Sequence, residues 1–227
     1  MNKRRVAILI SGRGSNMAAL VEAAAAADFP AEIALVVSNR ADAAGLEKAR
    51  AGGIATRVVE SRPFGNDRAA FEAVLQAALE EFRIDLICLA GFMRLFSAQF
   101  VQRWHGRMLN IHPSLLPSFP GLDPHGQALK AGVRISGATV HFVVPEMDAG
   151  PIVMQGAVAV FPDDTPDTLA ARILAVEHRI YPGALRLLAS GRLRLQGGIC
   201  EVVEGGEGVA AEALASPAPP PEPSGRR

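Results

Sequence analysis

The sequence predicts a single domain of the α/β class, in which helices flank a doubly wound and mostly parallel sheet. Short apolar runs alternate with longer amphipathic segments through the first half of the chain, a rhythm typical of βαβ units. The first run, residues 6–10, is apolar throughout, as strands are when a parallel sheet buries both their faces. A glycine-containing turn follows it directly, and this order is typical of the ligand-binding edge of such sheets.

Each predicted element rests on local signals. Apolar residues at helical spacing predict the helix 67–82. Thr165 and Pro166 predict the N-cap and first position of a long helix, and Pro182 predicts a kink or a split within it. The predicted strands are 6–10, 32–37, 54–59, 84–91, 107–112, 137–144 and 152–161, with a terminal hairpin of 193–195 and 199–203; the helices are 17–27, 42–51, 67–82, one from about residue 97, 127–131 and 166–189.

Size and composition favour one globular domain without strong surface charge. The 227 residues suffice for a single core, and 23 basic and 23 acidic residues leave no net charge. We therefore expect no nucleic acid and no membrane as partners, with monomer or homodimer both open. The apolar run near the start is too short for a signal peptide and the two cysteines make no disulfide framework, so a cytoplasmic protein is expected.

Three side chains in the middle of the chain are candidate catalytic groups: Asn110, His112 and Asp148. Residues two apart in a strand point the same way, so Asn110 and His112 share a face where the strand ends before Pro113. Asp148 lies in a loop that could fold back onto His112, where a carboxylate favours the imidazolium and orients it. Alone, however, a histidine before a proline at a strand end is more often a structural hydrogen-bonding residue.

A glycine loop follows the first strand; it consists of Gly12, Arg13, Gly14, Ser15 and Asn16. Glycines allow a ligand to approach the backbone closely, and the N–H groups at a helix start attract an anion. Met17 replaces the third glycine of a dinucleotide fingerprint, so a single phosphate is the expected ligand. A purely structural turn is the alternative.

Two further groups of residues lie beside these. Met93, Leu95 and Phe96 follow the fourth strand, where they could receive a flat aromatic ligand or belong to the core. Thr139 and His141 share one face of the sixth predicted strand, residues 137–144, where they are either supporting hydrogen-bond donors or packed residues. The histidines and cysteines show no metal-ligand spacing, so no metal is expected.

Four motifs in matching order and spacing make the chain similar to the folate-dependent formyltransferases. They are Asn110-Ile-His-Pro-Ser-Leu-Leu-Pro, Phe119-Pro-Gly-Leu, His141-Phe-Val and Met147-Asp-Ala-Gly-Pro. The resemblance covers about residues 6–195 and is greatest to the branch that formylates glycinamide ribonucleotide in purine synthesis. The chain departs from the family pattern at residues 123–126 and at residue 149, which leaves some loop contacts to substrate open.

The resemblance implies direct transfer of the formyl group of 10-formyltetrahydrofolate, a co-substrate, to the amine of glycinamide ribonucleotide through a tetrahedral intermediate. The partners that the resemblance implies are therefore small molecules. Asn110, His112 and Asp148 would be catalytic. The glycine loop and Glu177 would bind the phosphate and ribose. The residues that the resemblance assigns to the folate are Arg68, Met93, Arg94, Leu95, Phe96 and Asn110.

The same resemblance defines the domains and the alternatives. It implies a formyltransferase catalytic domain over residues 1–203, and residues 204–227, rich in Pro and Gly, are expected to be a disordered tail. A methionyl-tRNA formyltransferase would need a further tRNA-binding domain, and a 10-formyltetrahydrofolate hydrolase an amino-terminal regulatory domain. A formyltransferase for another amine and a non-catalytic folate-binding protein remain as alternatives.

Overall fold

The computed structural model describes residues 3–203, which form a seven-stranded sheet with helices on both faces and a separate hairpin. The sheet strands are β1 Arg4–Ile10, β2 Ala31–Ser38, β3 Thr56–Val58, β4 Leu86–Leu89, β5 Met108–His112, β6 Ile135–Phe142 and β7 Ile152–Ala159, and the hairpin is β8 Leu193–Gln196 with β9 Ile199–Val202. The helices are α1 Ser15–Ala24, α2 Ala44–Ala51, α3 Arg68–Glu81, α4 Ala98–Arg103, α5 Pro124–Lys130 and α6 Pro166–Ala189, with a 3₁₀ turn at Arg62–Phe64.

The strand order is β3-β2-β1-β4-β5-β6-β7. Strands β1 to β5 pair in parallel, and the β5–β6 and β6–β7 pairs are antiparallel. The predicted doubly wound, mostly parallel sheet is therefore confirmed. The chain reverses its direction of winding between β1 and β4, so the loops after these two strands meet at the switch point where such sheets bind ligands.

The side chains of β1 show how the sheet separates two cores. Val6, Ile8 and Ile10 pack with α1, α2 and α6 on one face, whereas Ala7 and Leu9 pack with α3 and α4 on the other. All five are fully buried. The period of two in an extended chain thus explains why the whole run must be apolar.

Pro182 lies inside helix α6, where a kink or a split is predicted, and it does not split the helix. The helix is continuous from Pro166 to Ala189. Tyr181, Ala184 and Leu185, on both sides of the proline, are fully buried in the core, and this packing holds the two halves of the helix together.

Several boundaries also shift by a few residues. α1 begins at Ser15 and α5 at Pro124, each earlier than predicted, and β3 keeps only three of its six expected residues. In residues 3–203 no helix is long and apolar enough to cross a membrane. The expected disordered tail, residues 204–227, lies outside the described residues.

Candidate active site

The end of β5 brings the three candidate catalytic side chains together. Asn110 pairs with His141 of β6, and His112 pairs with Thr139. The carboxylate of Asp148 lies between the two histidines: Oδ2 is 3.5 Å from His112 Nδ1, and Oδ1 is 3.8 Å from His141 Nε2. Alternation along β5 therefore places Asn110 and His112 on one side, and Asp148 does fold back onto them.

Gly150 allows the loop between β6 and β7 to carry Asp148 back over β6. A Cβ at this position would lie 1.7 Å from the carbonyl oxygen of Phe142, so no other residue fits without moving the backbone. Asp148 itself has a left-handed φ of 55°, which aspartate tolerates better than most residues. The loop is thus shaped by backbone requirements to present one carboxylate.

Backbone groups of the proline loop, residues 113–124, fix the orientation of His112 and Asp148. The carbonyl of Phe119 can only accept, so His112 Nε2–H donates to it over 2.9 Å, and Nδ1 faces the carboxylate. The backbone N–H of Gly121 donates to Asp148 Oδ2 over 2.8 Å. The proline loop therefore closes over the histidine and aspartate, a contact that the sequence does not reveal.

His141 orients the amide of Asn110. Its Nδ1–H donates to the Phe142 carbonyl at 2.9 Å, so Nε2 accepts from Asn110 Nδ2 at 3.2 Å. Burial lowers the pKa of His141, outweighing the Phe142 carbonyl and Asp148, which raise it. A neutral ring suits this role, and it leaves the second N–H of the Asn110 amide free for a ligand.

Thr139 contacts the proline loop. Its hydroxyl donates to the Ser114 carbonyl at 2.7 Å and accepts from Leu116 N–H at 3.0 Å, and Gln155 Nε2 donates both to that hydroxyl and to the Leu116 carbonyl. The Leu116–Pro117 peptide bond is cis. Sequence reasoning missed Gln155, although a lone amide in the run Ile152–Ala159 is a signal that could have identified it.

The glycine loop joins β1 to α1 at the switch point. Gly14 is the N-cap of α1 with a φ of 68°, and an added Cβ would lie 2.9 Å from the Cα of Gly45. It caps the helix without a side-chain hydrogen bond, so backbone N–H groups are available to an anion. Within the glycine loop, Arg13 is exposed and Ser15 is half-buried.

Asn16 and Glu177 form a buried polar pair beside this loop. Asn16 Nδ2 donates to Glu177 Oε2 over 2.6 Å, while Asn16 Oδ1 is buried and has no partner within residues 3–203. Burial raises the pKa of Glu177, partly offset by the bond from Asn16. Together they leave an acceptor and an acidic group for a polar ligand such as a sugar hydroxyl.

The side chains in the segment after β4 differ in exposure. Met93 is 70% exposed and Leu95 is exposed too, but Phe96 is buried and stacks between Phe92 and Phe100. Of the two interpretations that the sequence left open, ligand contact or core, the side chain of Phe96 fits the core, and its backbone remains a candidate for ligand contact.

Two arginines were also assigned to this region. The guanidinium of Arg94 lies over the ring of Phe71 and donates to the Gly65 carbonyl at 3.1 Å, with Nε buried and unpartnered. Arg68 is exposed at the start of α3. The guanidinium of Arg94 is therefore engaged by α3 and the loop before it, and Arg68 lies at the start of the same helix.

A cavity of about 800 Å³ opens next to the catalytic candidates. Its wall includes the glycine loop, the ends of β2 and β3 and residues 90, 91 and 93, but not Asn110, His112 or Asp148. The open cavity at the switch point therefore lies where the phosphate is predicted to bind. The catalytic side is covered by the proline loop.

Comparison with known proteins defines the class. The formyl transferase family model matches residues 4–185, so the chain belongs to the formyl transferase family. It is 44% identical over 190 residues to phosphoribosylglycinamide formyltransferase of Escherichia coli K12, covering 84% of this chain and 89% of that protein. Glycinamide ribonucleotide transformylase 1 from Symbiobacterium toebii has a similar structure, with 45% identity, a TM-score of 0.86 and coverage of 89% and 95%.

A larger relative shows the same domain in another setting. The trifunctional purine biosynthetic protein adenosine-3 of Bos taurus is 52% identical over 204 residues, which are 89% of this chain. The chain spans only 20% of that protein's length.

Proposed function

We propose that the chain is a phosphoribosylglycinamide formyltransferase, which transfers the formyl group of 10-formyltetrahydrofolate to the amine of glycinamide ribonucleotide in purine biosynthesis. It would act in the cytoplasm, as a monomer or homodimer and without a metal. Family membership and the identity to the Escherichia coli enzyme over most of both chains support the reaction. The observation that carries it is the meeting of Asn110, His112 and Asp148 at the edge that also holds the glycine loop.

The reaction needs donors for the oxygen of a tetrahedral intermediate. The free N–H of the Asn110 amide, held by His141, is one such donor. The Nε2–H of His112 is the other donor. It is bonded to the Phe119 carbonyl in the structure, so substrate binding must displace that carbonyl before the N–H can reach the intermediate. Preorganised donors of this kind contribute on the order of a hundred- to a thousandfold each to kcat.

A proton must also pass from the attacking amine to the leaving nitrogen. Asp148 is the base closest to His112, and it is mostly buried with one backbone N–H bond to Oδ2. Its role is to keep His112 oriented and to accept or relay the proton through a water.

The amine substrate is expected to bind on the side of the open cavity. Its phosphate would lie on the N–H groups at the start of α1, held by Gly12, Gly14 and Ser15. Its ribose hydroxyls would supply the partner that Asn16 Oδ1 lacks and bond to Glu177.

The folate is expected on the other side of Met93. The exposed Met93 and Leu95 would pack on its ring system, and backbone groups of the same segment would bond to it. Arg94 would line the ring pocket with the same segment, and Arg68 would face the carboxylates of the folate tail, because it is an exposed cation at the start of α3.

Folate absorbance after mixing 10-formyltetrahydrofolate with the protein, with and without glycinamide ribonucleotide, tests the proposal. Deformylation that depends on the ribonucleotide supports the transferase. Formyl loss without the amine indicates a hydrolase instead. No deformylation under either condition contradicts the proposal and leaves another acceptor or a binding protein.

A further inference from the structure

A chain of hydrogen bonds joins the loops that follow β4, β1, β2 and β3. The backbone N–H of Met93 donates to Ser11 Oγ at 2.8 Å, and the Ser11 hydroxyl donates to Asn39 Oδ1 at 2.6 Å. Asn39 Nδ2 then donates to Ser61 Oγ at 3.3 Å. All three donors point in the same direction, so each bond polarises the next. We call this chain the Ser11 relay.

The two central residues of the Ser11 relay are buried. Ser11 is 7% exposed and Asn39 is 8% exposed, whereas Met93 and Ser61 lie at its more open ends. Loss of the Ser11 hydroxyl would remove the partner of both the Met93 N–H and the Asn39 carbonyl oxygen, and only water from the adjoining cavity could take its place.

The backbone of Ser11 also connects two neighbouring loops, the glycine loop and the segment after β4. It immediately precedes Gly12, the first residue of the glycine loop. Its own N–H donates to the Gly91 carbonyl at 3.1 Å, so two bonds from one residue hold the segment that contains Met93. A shift of the glycine loop must therefore move Ser11, and through it the segment after β4.

We propose that Ser11 is a positioning residue that couples the two substrate sites: a ribonucleotide on the glycine loop fixes Ser11, and Ser11 holds the 91–96 segment in the position that binds folate. This inference rests on the proposed function, which assigns one substrate to each loop. Because coupling between binding sites is reciprocal, bound folate must strengthen binding of the ribonucleotide by the same factor.

The coupling can be measured without turnover by using tetrahydrofolate, which carries no formyl group. Calorimetry gives its Kd with and without saturating glycinamide ribonucleotide. For the wild-type protein the ribonucleotide is expected to tighten tetrahydrofolate binding by at least about fivefold. Ser11→Ala is expected to reduce this factor below about twofold, and to reduce the reciprocal factor equally.

Ser61→Ala is the matched control, because it removes a serine hydroxyl from the outer end of the relay and leaves the Met93–Ser11 bond intact. It is expected to keep the wild-type factor within about twofold. If Ser11→Ala does not fold, Ser11→Cys keeps the small side chain with a weak hydrogen-bonding group, and the same loss is expected of it.

A wild-type factor near one, or a wild-type factor that persists in the Ser11 variant, overturns the inference. The formyl-transfer assay separates this failure from failure of the proposed function. A protein that transfers the formyl group but shows no coupling contradicts the relay alone, whereas a protein without transfer contradicts the function on which the relay rests.

Discussion

Asp148 lies in the loop before β7 and Asp164 in the loop after it, and both carboxylates are largely buried, at 10% and 3% exposure. Asp164 accepts from the backbone N–H of Phe161, the hydroxyl of Thr168 and both terminal nitrogens of Arg172, all within 2.9 Å. Its partners occupy both oxygens, and the Arg172 guanidinium holds the pKa of Asp164 well below its usual range.

Asp148 has far fewer close partners. Among the partners that the structure describes, only the Gly121 N–H lies within 3 Å, and the two histidine nitrogens lie at 3.5 and 3.8 Å, beyond ordinary hydrogen-bond length. The difference separates a carboxylate whose bonds hold structure from one with unused acceptor capacity, as the proposed role of Asp148 beside His112 requires. The number of close hydrogen-bond partners, and not the degree of burial, distinguishes the two carboxylates.

The largest expected effect is loss of activity in Asp148→Asn. Asparagine tolerates the left-handed φ of 55° and keeps an acceptor for Gly121, so the fold should persist while the charge beside His112 is lost. We expect kcat to fall by about a hundred- to ten thousandfold. Steady-state kinetics with a parallel thermal unfolding curve checks this, and a folded variant with wild-type kcat would remove Asp148 from the mechanism.

Asp164→Asn should give the opposite result, lower stability at unchanged kcat. Weakening the charge-assisted bonds to Arg172 should cost about 1–3 kcal/mol of unfolding free energy. Urea unfolding measures it, with Asp163→Asn, the exposed neighbour, as control. A large drop in kcat with unchanged stability would contradict the division between the two loops.

His141→Leu sharpens the comparison from the side of the site. The Asn110 amide loses its acceptor and is free to rotate, so kcat should fall by about tenfold, the value of one hydrogen bond. His141→Gln, which restores an acceptor, should recover part of the loss. Equal kcat in the leucine and glutamine variants would contradict the orienting role.

The pH dependence of stability gives the smallest effect. Because the folded pKa of Asp164 lies below its usual 3.8, the unfolded state binds more protons between the two values, and stability rises with pH there. The contribution of Asp164 is therefore complete above pH 3.8 and is lost as the pH falls below it. Unfolding curves from pH 5 to pH 2 should converge for wild type and Asp164→Asn; parallel curves would show that the ion pair contributes little.

Local rules predicted part of this site. Alternation placed Asn110 and His112 on one face, and the apolar run 6–10 identified the first strand of the sheet. Contacts between distant residues could not be predicted in this way: the Phe119 carbonyl on His112, the Gln155 amide on the proline loop and the burial of Phe96 all depend on how loops pack. No periodicity encodes these, because each joins elements whose relative positions only the complete sheet defines.

The hydrogen bond between Asn16 and Glu177 joins residues 161 positions apart, the first helix to the longest one. On the ribosome, Asn16 emerges well before α6 is synthesised, so this amide lacks its carboxylate partner until Glu177 has been added. Contacts of such separation form late, since the intervening chain must be ordered first. If Asn16 and Glu177 bind a ribose as proposed, this part of the site is complete only when α6 docks, and we expect incomplete chains that already contain the glycine loop to bind the ribonucleotide more weakly.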